Sequence, residues 1–544
     1  MKTKILLIPF ICISLLLTSC LGDLDVSPLD ENTANQETAY SDETSYRRGL
    51  MKMYSVFAMS GQDGEGSSDI TGMDPGNTQL LRSWWIVQEV TTDECLNSWA
   101  DDSWVAEING LQWTNAKNES IEGVYQRCMY IVALANEYLR QTTESKVKAR
   151  GGSDQLVQTV NGFRNEARFT RALAYYILMD AFARPPFITE DSYSMTPSQM
   201  SRADLFAWIE GELKDLATAL PAPRTFYGRA DQAVANALLS RMYLNSETYT
   251  GIARYTECIA ASNAVINAGY TLGDNYSNLF KADNGITSKN EIIFPICFEG
   301  SATKTWGGMT FLICSSRGGS ECDINTDGVA SGWDGNRARP ELVRKFEFSN
   351  PKFDEDSDAA SIKDKRGIFF TTEDRTLEIN EWEKTFATQG WAVYKYSNVN
   401  SDSSLGSDSQ FPDTDFPLFR LGEIYLNYAE AVKRGGAGGS EAQAVEYINK
   451  LRERGYGNAS GNINAGQMTL DFILDERARE LYWEGVRRTD LVRYDYFTTN
   501  KYLWAFKGGI KNGVEVGNYK NIFPIPLSDL SANSNLTQND GYSN

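Results

Sequence analysis

The chain has 544 residues, of which 42% are apolar, enough for a sizeable hydrophobic core. It carries 52 basic and 72 acidic side chains, and the formal net charge of −20 makes nucleic acid and anionic lipid surfaces poor partners. There is no histidine, which excludes Ser-His-Asp and Cys-His catalysis and histidine-ligated zinc. Paired carboxylates remain available, so glycoside hydrolysis is not excluded.

The N-terminal segment is typical of an exported protein. Two lysines precede an apolar run at positions 5–17, which is shorter than the roughly 20 residues of a spanning helix. Small residues follow and end at Cys20, an arrangement that resembles the lipobox of bacterial lipoproteins. We expect residues 1–19 to be a signal peptide, Cys20 to be lipidated, and residues 20–36 to form a tether. An ordinary secreted protein with a chance cysteine at the cleavage point is the alternative.

Apolar periodicity predicts a mostly α-helical domain over residues 37–544. The predicted helices are residues 165–182, 229–244, 255–268, 418–433, 441–454 and 471–493, the last being the longest. Neighbouring helices suggest tetratricopeptide-like pairs, although no clean repeat consensus recurs. Residues 291–298 predict a short strand. The long polar or glycine-rich loops are residues 61–77, 300–339, 350–365 and 401–415.

The cysteines argue against a zinc site. Apart from Cys12 and Cys20, they are Cys95, Cys128, Cys258, Cys297, Cys314 and Cys322, and no CxxC pair occurs among them. Cys314 and Cys322 either bridge across a glycine-rich loop or remain free thiols.

Tryptophans concentrate in two stretches. The first holds Trp84, Trp85, Trp99, Trp104 and Trp113, and the second holds Trp306 and Trp333. The apolar face of a sugar ring stacks on an indole, while its hydroxyls need polar partners. Those predicted near the first stretch are Arg82, Asn97, Asp101 and Asp102. The alternative is that these tryptophans belong to the core, which is less favoured where glycines surround the indole.

Residues 323–334 match the spacing of an EF-hand calcium loop. The predicted ligands are Asp323, Asn325, Asp327 and Asp334, with Gly328 at the sixth position. Oxygen donors suit a hard cation, but no helix is predicted before the loop. A solvated acidic turn is the alternative, so no cofactor is required and calcium is an optional one.

Several motifs resemble those of the SusD/RagB-like outer-membrane lipoproteins. They are residues 166–172 (EARFTRA), 417–431 (PLFRLGEIYLNYAEA), 476–493 (ERARELYWEGVRRTDLVR), 523–526 (FPIP) and 535–542 (NLTQNDGY). Together with the lipobox they cover essentially the whole chain. They identify the scaffold and not the ligand.

This resemblance implies a scaffold of tetratricopeptide-like helix pairs packed against an irregular, loop-rich ligand-binding part with a few short strands. It implies a non-catalytic receptor, anchored by lipid to the outer membrane and facing the exterior. Such receptors bind glycans and cap a TonB-dependent transporter. An amylase or other surface glycan-binding lipoproteins are further partners that it implies.

The chain also resembles the starch-binding founder of that family in its loops. The resemblance implies binding loops mainly from residues 61–115 and 295–345. It implies an arc of Trp99, Trp306 and Trp333 that follows an α-glucan helix, with Arg82 bonding sugar hydroxyls. Asn97 replaces a tryptophan and Asp102 replaces an asparagine, so glycan length and linkage stay open.

Three classes of function follow. The leading hypothesis is a surface receptor for starch or malto-oligosaccharides, or for a different glycan. The second is a glycoside hydrolase that uses two carboxylates. The third is a scaffold that binds only protein through its helix pairs.

Overall fold

The computed structural model describes residues 39–192, 194–349 and 359–543. The predicted signal peptide, Cys20 and the predicted tether lie outside the described residues. No helix in those three ranges is both long and apolar enough to cross a membrane.

Helices make up most of the regular structure. The helices are α1 (Glu43–Ala58), α2 (Leu80–Trp85), α3 (Ser103–Asn109), α4 (Glu119–Gln141), α5 (Glu144–Ala149), α6 (Asp154–Phe182), α7 (Arg202–Ala219), α8 (Gln232–Leu244), α9 (Ser246–Thr250), α10 (Tyr255–Ile266), α11 (Asn284–Thr287), α12 (Gly308–Cys314), α13 (Ile324–Asp327), α14 (Pro340–Val343), α15 (Leu421–Lys433), α16 (Glu441–Tyr456), α17 (Leu470–Leu481), α18 (Arg487–Arg493) and α19 (Leu527–Ala532). A π-helical turn, Ile86–Val90, continues α2. The 3-10 turns are Tyr276–Phe280, Ala359–Ser361, Ala459–Gly461, Ala465–Gln467, Lys507–Gly509 and Asn518–Asn521.

The long helices pack as successive pairs. Helix α6 packs on α4 and α7, α8 packs on α7 and α10, and α15 packs on α10, α16 and α17. Side-chain oxygens accept hydrogen bonds from the first turns of several of these helices, which fixes where they begin. These N-cap residues are Asn118, Ser153, Ser201, Asp231, Ser440 and Thr469. The predicted mostly helical class is confirmed.

One predicted helix is wrong. Residues 471–493 form two helices, α17 and α18, because the backbone turns at Trp483 (φ 66°) and Gly485 (φ 74°). The carboxylate of Glu89 accepts hydrogen bonds from the N–H groups of Gly485 (2.5 Å) and Val486 (3.2 Å), so it stabilises the start of α18. The 29-residue α6 is longer than either of them.

Short strands position the loops that carry the site. The strands are β1 (Cys95–Asn97), β2 (Ile292–Ile296), β3 (Asn336–Ala338), β4 (Phe369–Phe370), β5 (Ala392–Val393) and β6 (Phe416–Arg420). They form an antiparallel sheet in the order β1-β3-β5-β4 and an antiparallel pair, β2-β6. In the first sheet, Asn97 lies opposite Asn336, which brings the segments after β1 and before β3 together. The predicted strand at 291–298 corresponds to β2.

Charged residues of the family-like motifs join others in buried ion pairs. Arg420 contacts Glu480 at 2.5 Å and Glu484 at 2.6 Å, and Arg454 pairs with Glu291 at 2.7 Å. All five side chains are almost fully buried. Removing one partner would leave an uncompensated buried charge, so these residues serve the fold rather than a ligand.

The six cysteines in the described ranges are free thiols. Cys314 is buried at the end of α12, and Cys322 is partly exposed with its thiol donating to the carbonyl of Val329 (3.3 Å). Cys314 and Cys322 are therefore free thiols and do not form a disulfide, in agreement with the second of the two alternatives.

Candidate glycan-binding site

Three tryptophans from distant parts of the chain lie next to one another. The ring centroids of Trp99 and Trp333 are 6.5 Å apart with an angle of 43° between the planes. Those of Trp333 and Trp306 are 6.3 Å apart at 49°. All three indoles are half-buried, so part of each faces solvent. Because successive planes are inclined, the surface that they form is not flat. We call these three residues the tryptophan arc.

Trp99 and Trp333 are fixed to each other. The indole Nε1–H of Trp99 donates to the carbonyl of Trp333 (2.7 Å), and the backbone N–H of Trp99 donates to Oδ1 of Asn97 (2.8 Å). A Cβ at Gly335 would lie 2.6 Å from Cζ2 of Trp99, so only glycine lets the backbone approach the indole this closely. The first half of the arc is therefore held by backbone as well as by side chains.

Helix α12 holds the second half of the arc. Trp306 lies just before its first turn, and Cys314 at its last residue accepts a hydrogen bond from the N–H of Trp333 (2.8 Å). The ring of Trp306 also packs on Phe411, with centroids 5.3 Å apart. Because Phe411 is only 3% exposed, it supports the indole from below.

Arg82 lies beneath the arc. Its guanidinium carbon is 4.4 Å from the ring centroid of Phe311 and 5.8 Å from that of Trp99. Nη1 donates to the carbonyl of Trp306 (3.3 Å), whereas Nε has no partner in the described part of the chain. Burial lowers the pKa of Arg82 to about 10, with Asp102 acting in the opposite direction, so the group stays charged at neutral pH. Arg82 is therefore a buried cation beneath the arc, and the Nε that lacks a partner is itself enclosed.

The two predicted aspartates differ in their surroundings. Asp101 is exposed and pairs with Lys384 at 3.0 Å. Asp102 is half-buried at the start of α3, and its carboxylate makes no capping hydrogen bond there. Burial raises the pKa of Asp102, and the charge of Arg82 opposes this shift. Asp102 therefore presents a carboxylate that is not used to cap α3.

Asn97 is corrected from a sugar contact to a supporting residue. Its side chain is fully buried, donates to Oδ1 of Asn336 (2.8 Å) and accepts from Trp99. A glycan on the arc cannot reach an amide that is enclosed in this way. Its function is to orient Trp99 relative to β3.

The predicted calcium ligands do not form a donor set. Asp327 is buried against Arg317, with Oδ1 2.6 Å from Nε, and its Oδ2 accepts from the N–H of Asp323 (3.0 Å). Asp334 instead accepts from the N–H of Gly319 (3.0 Å). Among the described residues, no three His, Cys, Asp or Glu side chains are grouped so as to hold a metal. The spacing matches that of a calcium loop, but in the structure Asp323 caps α13 and Asp327 pairs with Arg317, so both side chains have structural roles.

Four tryptophans belong to the core, as the alternative interpretation had them. Trp84, Trp85, Trp104 and Trp113 are at most 6% exposed.

Sequence reasoning missed Lys384, which reaches the site from a segment without a motif. It also missed Phe311 and Phe411, which support the arc. The apolar run of α12 after Trp306 was the available signal for Phe311.

The structure shows a mostly helical protein with three neighbouring, partly exposed tryptophans, and similarity to known proteins identifies its family. A profile described as "SusD family" matches residues 378–542, and one described as "Starch-binding associating with outer membrane" matches residues 70–244. The chain is 35% identical over 560 aligned positions to the starch-binding protein SusD of Bacteroides thetaiotaomicron, covering 96% of each chain. The chain belongs to the SusD family.

More distant relatives agree. SusD-like protein P2 of Formosa agariphila is 27% identical over 70% of this chain and 74% of its own length. Surface glycan-binding protein A from Bacteroides thetaiotaomicron has the same fold, with a TM-score of 0.69 at 18% identity over 92% of this chain and 100% of its own. A structure of that protein in complex with laminarihexaose aligns with a TM-score of 0.68 at 17% identity, covering 91% of this chain and 99% of its own. These two solved structures share the fold of this chain, and its place in the SusD family rests on the 35% identity to SusD.

Proposed function

We propose that this protein captures starch or malto-oligosaccharides at the cell surface and delivers them to a TonB-dependent outer-membrane transporter. The observation that carries the ligand assignment is the tryptophan arc, whose successive rings are inclined by 43° and 49°. A helical α-glucan presents successive glucose faces in different directions, whereas a flat β-1,4 chain stacks best on coplanar rings. Similarity to the starch-binding SusD supports the same ligand.

The polar groups around the arc suit a neutral glycan. Arg82 supplies a donor beneath the rings, and Asp102 supplies an acceptor beside them. Hydrogen bonds to charged groups strengthen the binding of hydroxyls and fix their direction. The chain's net charge of −20 would not oppose a neutral ligand.

Affinity electrophoresis tests the ligand assignment. Purified mature protein is run through native gels containing amylopectin, laminarin or hydroxyethyl cellulose. We expect retardation by amylopectin. Retardation by laminarin alone would contradict starch as the ligand, but the protein would still be a glycan receptor. No retardation by any glycan, with transporter binding intact, would favour the protein-binding scaffold.

The protein is proposed to be a receptor and not an enzyme. Incubation with amylopectin followed by a reducing-end assay tests this. We expect no release of sugar above that of a blank without protein. Steady release by the unaltered protein would instead support a carboxylate-pair glycosidase.

Lipidation at Cys20 is proposed to anchor the protein to the outer membrane, facing the exterior, with the transporter as its partner. Cys20→Ala is expected to shift the protein from the membrane fraction to the secreted fraction, because bacterial lipoproteins carry more than one acyl chain. The comparison is made in cells lacking the transporter, so that protein contact cannot retain the variant. Retention of the variant in those cells would contradict the anchor.

A further inference from the structure

A cleft of about 800 Å³ lies beside the tryptophan arc, and Trp99 lines it. Its other walls include Ser320 and Asp334 on one side and residues 384–387 on the other. The last segment lies outside the loops predicted from the sequence, and the proposed function does not use it. The volume falls within the range of about 300–1,000 Å³ typical of small-molecule sites.

Ser98 joins the walls of this cleft. Its N–H donates to the carbonyl of Gly335 (3.0 Å), its hydroxyl donates to the carbonyl of Asp334, and its own carbonyl accepts from the N–H of Lys384 (3.0 Å). Ser98 is 2% exposed, so these bonds are shielded from water. Three segments far apart in sequence are thereby held in one arrangement before any ligand arrives.

Two residues of the cleft have a strained backbone. Asp334 has φ 52° and Lys384 has φ 54°, the left-handed region that favours glycine. Such conformations are energetically unfavourable and are concentrated at ligand sites, where the surrounding structure enforces them. The hydrogen bonds of Ser98 to both residues supply that enforcement here.

The lining suits a neutral, hydroxyl-rich ring. Asp101 and Lys384 form an exposed ion pair at 3.0 Å, which offers both an acceptor and a donor without net charge. Exposed pairs of this kind contribute little stability, so they can exchange partners with hydroxyls. Trp99 and Phe386 supply apolar wall. Two further carboxylates line the cleft, so acceptors outnumber donors and an anion is disfavoured. Apolar wall beside several acceptors and one donor matches a hydroxyl-rich hexose.

We propose that the cleft is a further sugar subsite, which holds hexose units of the same glycan where it continues past Trp99. The unit bound in the cleft is an α-linked glucose, which belongs either to the end of the glycan or to a 1→6-linked branch of it. The proposal rests on the proposed function, because it assumes that an α-glucan lies along the arc. It adds Ser320, Asp334 and the segment 384–387 to the binding surface.

Calorimetric titration of the full mature protein with three ligands tests this proposal. α-Cyclodextrin has neither end nor branch, 6-O-α-maltosyl-α-cyclodextrin adds a branch and a non-reducing end, and maltoheptaose has both chain ends but no branch. Ser320→Tyr fills the cleft, and Ser145→Tyr on α5 is the matched control. Lys384→Ala removes one donor without adding bulk, with Lys148→Ala on α5 as its control.

We expect Ser320→Tyr to weaken binding of the branched ring or of maltoheptaose by about five-fold, the effect of losing roughly one hydrogen bond. Lys384→Ala should act in the same direction, and α-cyclodextrin should stay within two-fold. Loss confined to the branched ring identifies a branch, loss for both the branched ring and maltoheptaose identifies a non-reducing end, and loss confined to maltoheptaose identifies a reducing end. Equal effects on all three ligands, or none, would overturn the subsite. Failure of the unaltered protein to bind any of them would overturn the proposed function as well.

Discussion

The central indole of the arc offers the sharpest test of the binding surface. Trp333 neighbours both other tryptophans, with centroids 6.5 Å and 6.3 Å away. Its backbone N–H and carbonyl make the bonds to Cys314 and Trp99, and Trp333→Ala keeps both. The variant should therefore remove one stacking face and leave the outer two rings in place. Burying the exposed face of an indole against a sugar contributes about 1–2 kcal/mol.

We expect Trp333→Ala to weaken maltoheptaose binding by about ten-fold or more, since 1.4 kcal/mol corresponds to ten-fold in affinity. Trp333→Phe should restore part of the loss, because it retains an aromatic face. Isothermal titration calorimetry measures both variants. Trp208→Ala, which removes a half-buried indole of α7, is the control for lost stability. Binding by Trp333→Ala within two-fold of the unaltered protein would refute the arc as the stacking surface.

Three further predictions concern charge. Burial raises the pKa of Glu94 to about 7, against the effect of Arg487. The stabilising contribution of the protonated carboxyl is therefore present below about pH 4.5 and is lost as the pH rises through 7. Glu94→Gln should raise the melting temperature at pH 8 and change it little at pH 5. Asp327→Asn removes the carboxylate that neutralises the buried charge of Arg317 and should lower the unfolding free energy by about 3 kcal/mol, equally with and without chelator. Maltoheptaose affinity, measured by calorimetry, should change less than two-fold between low and high salt.

Much of the scaffold was predictable because periodicity and caps are local. Helices α8, α10, α15 and α16 fall where apolar spacing predicted them, within a few residues at each end. The break between α17 and α18 was not predictable locally. Gly485 lay inside an amphipathic pattern, and the break depends on Glu89, a residue almost 400 positions earlier in the chain.

The site was predictable only in part. Glycine neighbours distinguished Trp306 and Trp333 from core tryptophans, and the structure places Trp333 between Trp99 and Trp306. The predictions for Asn97 and for the calcium loop at residues 323–334 were wrong, because residue type does not show whether a polar side chain already has a partner. Asn97 is bonded to Asn336, and Asp327 is bonded to Arg317. Lys384 was missed because its approach to Asp101 depends on the tertiary fold.

A crystal structure of the mature protein with maltoheptaose tests the central claim most directly. The account predicts glucose rings stacked on Trp99, Trp333 and Trp306 in succession, with hydroxyls bonded to Arg82 and Asp102. A saccharide bound elsewhere while the arc stays in contact with solvent alone would contradict it.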